Sequence, residues 1–116
     1  MTESWNHIPD SFHVGQNKIP MLVYRDVLPL QRKVDDGTLA LGGYDPVTDR
    51  IELLAQEEAP HRIYETLVHE MIEAINFKYE LNLEHPQIKT LGVALHQGLC
   101  SGKFGFGEDG TVFRVQ

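Results

Sequence analysis

An α+β fold is predicted by three features of the chain. Two β-rich stretches flank a turn in the N-terminal half, a long amphipathic helical stretch follows them, and His85-Pro86 opens a second helix. At 116 residues the chain fits one domain spanning residues 1–116, a short antiparallel-containing sheet packed on the two helices. No linker, repeat or low-complexity tract divides it.

Residues 18–24 read as a strand, with Pro20 marking an edge strand or a strand start because proline cannot donate to a ladder. Residues 27–34, with Pro29 inside them, are mixed and read as a short irregular helix. Residues 38–44 and 50–54 form a predicted hairpin, and Asp45 to Asp49 supply its turn. Glu57, Glu58 and Pro60 open the long helix. From Ile63 to about Leu81, apolar residues including Leu67, Met71, Ala74, Ile75 and Tyr79 recur at helical spacing, while Glu65, His69, Glu70, Glu73 and Glu80 take the other side. In the second helix Ile88, Leu91, Leu95 and Leu99 mark an expected buried stripe. Glycines then interrupt the tail, leaving room for a short hairpin within residues 103–115.

Composition narrows the function classes. Hydrophobic residues make up 41% and charged residues 23%, ordinary values for a globular domain that folds without a disulfide. Seventeen acidic against ten basic residues give a net charge of −7, which argues against nucleic-acid and anionic-membrane surfaces. There is no apolar run long enough to span a bilayer and no basic-then-apolar leader at the start. The single cysteine, Cys100, excludes an internal disulfide framework and is read as a small buried residue at a helix end. A reducing, cytoplasmic setting is the simplest expectation.

The chemistry-bearing segment is His69-Glu70-Met71-Ile72-Glu73. Residues i and i+4 share a helix face about 5–6 Å apart at Cβ, so His69 and Glu73 can point at one ion. Imidazole nitrogen and carboxylate oxygen are ordinary zinc ligands. Glu70 lies one step round the helix, placed to touch a water at the ion rather than the ion. A catalytic zinc keeps three protein ligands and one open position, so a third ligand is expected from a neighbouring element. His85, 12 residues after Glu73, is the preferred candidate, provided that the first helix ends near Lys78 or the connection folds back. His96 is the rival. Tyr44 is a further candidate neighbour, and His7, His13 and His61 have no metal-ligand spacing.

The strand pair containing Gly43-Tyr44-Asp45 and Ile51-Glu52-Leu53, the helix Thr66-Leu67-Val68-His69-Glu70-Met71-Ile72-Glu73-Ala74-Ile75 and the second helix resemble the small zincin-type metallopeptidases, in their minimal phage- and prophage-encoded form. In that family the helix commonly reads His-Glu-x-x-His, and an acidic third ligand follows downstream. Here Glu73 stands at the second histidine and His85 at about the position of the acid, so two histidines and one glutamate are kept with two positions exchanged. The resemblance implies a zinc-dependent hydrolytic reaction with Glu70 as general base and a peptide or protein as substrate. The alternative from a different class is an inactive protein of the same scaffold that acts by binding a protein partner. The bland alternative is a solvated helix face. Against it, Glu65, Glu70, Glu73 and Glu80 share one arc with no Lys or Arg among them, and like charges at this spacing repel by a few tenths of a kcal/mol.

Overall fold

Alternation of apolar and polar residues builds the sheet. The computed structural model describes residues 8–25, 41–55 and 61–115. β1 (Ser11–Val14) and β2 (Asn17–Tyr24) form a tight antiparallel pair, with Gly15 supplying a positive φ of 60° in the turn. β3 (Gly42–Asp45) and β4 (Arg50–Leu54) form the predicted hairpin, joined by residues 46–49. β2 and β4 pair in parallel, so the mixed sheet has the order β1-β2-β4-β3. β2 is thus interior by order although it carries Pro20. The proline is tolerated because residues 17–20 pair with β1 alone, and pairing with β4 begins at Met21.

Two helices follow, α1 (His61–Tyr79) and α2 (His85–Gly102), and then a separate hairpin, β5 (Phe104–Phe106) with β6 (Val112–Arg114). The α+β class, the two helices and the C-terminal hairpin all match the sequence expectation. The stretches expected at residues 27–34, 38–40 and 57–60 lie outside the described residues.

α1 covers one face of the sheet. Ile63, Leu67 and Ala74 of α1 join Ile19, Met21, Ile51 and Leu53 of the strands in one buried cluster. Burial of each large aliphatic side chain stabilises by roughly 1.5–3 kcal/mol, and these are among the most deeply buried residues of the chain. β3 approaches α1 so closely that a Cβ at Gly42 would lie 2.7 Å from the Thr66 methyl group. Only glycine permits that approach. At the other end of β3 the Tyr44 ring packs 6.0 Å from Phe77, and its hydroxyl donates to Asp49 at 2.6 Å. Lys78 adds an ion pair to Asp49 at 2.9 Å, tying the β3–β4 turn to the last turns of α1.

Two expected core positions are instead exposed. Leu91 and Leu95 are 48% and 49% exposed, and the buried positions of α2 are Ile88 and Gly92. Among the described elements α2 packs chiefly on α1, and Leu91 and Leu95 lie about a quarter turn from the Ile88–Gly92 stripe. Tyr79 is also exposed, at the very end of α1. No helix among the described residues is long and apolar enough to cross a membrane.

Candidate metal centre

Three side chains converge where α2 crosses α1. One ligand atom from each of His69, Glu73 and His85 lies within 4.8 Å of the other two. The His69 and His85 rings are 5.2 Å apart, edge to face. His69 and Glu73 meet because they are one helical turn apart. His85 meets them because of how the chain returns. α1 ends at Tyr79, ten residues or about 15 Å beyond His69. Residues 80–84 then run back, and five extended residues span about 16 Å, enough to bring the first residue of α2 beside His69.

The return is held by named contacts. Glu80 and Asn82 take left-handed conformations, with φ of 53° and 60°, which reverse the chain. The Asn76 amide then grips the backbone of Leu83 twice. Leu83 N–H donates to Asn76 Oδ1 at 2.9 Å, and Asn76 Nδ2 donates to the Leu83 carbonyl at 3.3 Å. Glu84 caps α2: its N–H donates to the Gln87 side chain at 2.8 Å, and its carbonyl accepts from Gln87 and Ile88 N–H. Pro86 occupies the first turn, where its missing N–H costs no helical bond.

The crossing itself depends on Gly92. A Cβ there would lie 3.3 Å from His69 Cα and 3.5 Å from His69 Cβ, so the absence of a side chain lets α2 rest on the backbone that carries the histidine. Gly92→Val is expected to cost about 2 kcal/mol by overpacking and to weaken metal uptake, because α2 must lift from His69. Gly92→Ala, whose single tight contact is offset by about 1 kcal/mol of helix propensity, is expected to change stability little. Thermal unfolding of the two variants, with and without zinc, checks the pair.

The electrostatics suit a cation. Burial pushes the His69 pKa below the ordinary histidine value, and the nearby His85 and Lys89 push the same way, against the opposing pull of Glu73. His69 is therefore neutral at pH 7, the form that ligates a metal. Glu73 adds one carboxylate, and the set offers two imidazoles and one anionic oxygen. Around a tetrahedral zinc such atoms sit about 3.4 Å apart, so closing from at most 4.8 Å needs side-chain adjustments of about 1 Å. The group can hold a metal ion.

The structure brings His69, Glu73 and His85 together and leaves the other candidates outside the group. His96 turns to Cys100, its Nε2 3.5 Å from Sγ. Cys100 is exposed, not buried as its position in the sequence suggested, and the last turns of α2 hold no buried residue. Glu80 is exposed in the connection, and Tyr44 is committed to Asp49 and the Phe77 ring. Glu70 departs from the polar arc on which the sequence placed it. It is only 7% exposed, buried on the helix that carries the two α1 ligands. Gly92 and Asn76 shape this geometry without being ligands. Gly92 had no sequence signal beyond its being a glycine within a helix. Asn76 lies one turn after Glu73, and it supports the ligand arrangement through the backbone of Leu83 rather than by touching a ligand.

Compared with models of known protein families, with curated proteins and with solved structures, the chain matches none.

Proposed function

We propose that the protein is a zinc-dependent hydrolase, most simply a peptidase, in which His69, Glu73 and His85 hold the ion and Glu70 is the general base. The observation that carries this reading is the convergence of these three ligand atoms from two helices, with a buried carboxylate next in sequence to the first of them. A solvated helix face gives no reason for His85 to return to His69, nor for a glutamate to be buried there. Bound at this site, zinc supplies a Lewis acid for a carbonyl oxygen and acidifies water.

The remaining chemistry belongs to the chain. Glu70 takes the proton of the attacking water as its oxygen bonds to the peptide carbonyl carbon. It then returns that proton to the leaving nitrogen as the C–N bond breaks, so the carboxylate is regenerated. His69 stays neutral through the cycle because its burial disfavours the imidazolium. The peptide would lie along β3 by strand addition, since among the described strands β3 is at the sheet edge and packs on α1, the helix that carries His69, Glu70 and Glu73.

The test is hydrolysis of an unfolded polypeptide by the zinc-loaded protein. Cleavage that stops with a chelator and returns with added zinc is expected. A protein that binds one zinc per chain and cleaves nothing under any condition contradicts the hydrolase reading and leaves a metal-bearing binding protein.

A further inference from the structure

Outside the metal centre, the described residues present an apolar flank that starts on α2 and continues onto the C-terminal hairpin. α2 is largely exposed, yet Lys89 is its only Lys, Arg, Asp or Glu in 18 residues, in a chain where 23% of residues are charged. Depletion of charge on an exposed apolar surface is the compositional mark of the centre of an interface. Leu91 and Leu95 stand one helical turn apart and are half exposed. Gly98, farther along the same line, borders open space, with no atom within 4 Å of where a Cβ would stand. At Gly102 the Phe104 ring lies directly over the helix. Phe104 and Phe106 stack at 6.5 Å on one face of the hairpin, 49% and 64% exposed, and Val112 opposes Phe106 across the ladder. A two-stranded hairpin with such a face is marginal in water by itself.

We propose that this surface pairs with the same surface of a second copy of the chain, giving a symmetric dimer. Its area fits. Leu91, Leu95, Phe104, Phe106 and Val112 expose on the order of 450 Å² of apolar surface, taking ordinary side-chain areas. One side of a standard interface buries about 800 Å², of which about 57–65% is apolar, or roughly 450–520 Å². Its charge pattern is compatible as well. Lys89, the lone formal charge of α2, stands on the other side of the helix, near His69, so the Leu91–Leu95 flank is uncharged. A chain of net charge −7 repels itself over most of its surface, and the flank of α2 holds no acidic residue. Gly98 permits close approach of the partner helix. This inference is independent of the metal reading.

The experiment is sedimentation equilibrium of the full chain in a chelating buffer, so that metal-bridged association does not contribute. The wild type is expected at twice its 13.2 kDa chain mass. Leu95→Glu is expected to raise the dissociation constant at least about thirtyfold, because a symmetric interface meets each substitution twice and buries a charge at each. Phe106→Ser, on the other half of the surface, is expected to act in the same direction. Cys100→Ser, on the opposite flank of α2, is expected to leave the dimer intact. Circular dichroism of each variant shows that the fold is kept. A wild type that sediments as a monomer up to sub-millimolar concentration overturns the proposal, as does a dimer that is indifferent to both Leu95→Glu and Phe106→Ser.

Discussion

Titrated with zinc at neutral pH, the protein takes up one ion per chain, and His69→Ala, Glu73→Ala and His85→Ala each weaken that uptake at least about a hundredfold. The magnitude follows from the loss of one ligand in three, since even partners that only orient a ligand change metal affinity by about 10–100-fold. All three variants are expected to remain folded. His85 is exposed, His69 and Glu73 are only partly buried, and the aliphatic cluster between α1 and the sheet does not include them. Acid weakens uptake as well. The His69 pKa lies below the ordinary histidine value of about 6.5, so the neutral imidazole is the form that the folded state favours. Its contribution to stability is present above about pH 6.5 and is lost as the pH falls toward the lowered folded-state value. Competition with a chromophoric chelator across that range measures both effects. Equal affinities in the wild type and all three variants contradict the assignment of the ligands.

Glu70→Gln separates binding from chemistry. The amide is nearly isosteric with the carboxylate and cannot accept the proton of water, so hydrolysis is expected to fall by about 10²–10⁴-fold while zinc affinity stays within a few fold. The expectation rests on the placement of Glu70, buried beside His69 in sequence but outside the ligand group. The measurement is kcat for polypeptide cleavage with zinc saturating, set beside a zinc titration of the same preparation. Parallel loss of zinc and activity would make Glu70 a ligand or a structural support. Unchanged activity would remove it from the reaction.

Much of the fold was legible in the sequence because periodicity carries it. The spacing of Ile63, Leu67 and Ala74 marks the buried face of α1, and Asp45 to Asp49 mark the turn between β3 and β4. Spacing along a helix also reveals His69 with Glu73, since both belong to one turn. The sequence favoured His85 over His96 as the third ligand, but the way it reaches His69 depends on left-handed Glu80 and Asn82 and on the Asn76 grip, and a hydrophobic pattern records none of these. The burial of Glu70 was not legible either, because a glutamate counts as polar in any pattern whatever packs over it. Leu91 and Leu95 show the converse error. Their helical spacing resembles that of a core stripe, and a pattern of apolar residues does not distinguish burial inside one chain from burial against another.

The claim beneath the functional reading is that one divalent ion sits between α1 and α2. Anomalous scattering at the zinc edge, from crystals grown with zinc, tests it most directly. The predicted result is a single strong peak within about 2.0–2.2 Å of His69, Glu73 and His85 atoms. A map without a peak there, with the two imidazoles and the Glu73 carboxylate turned away from one another, would contradict it.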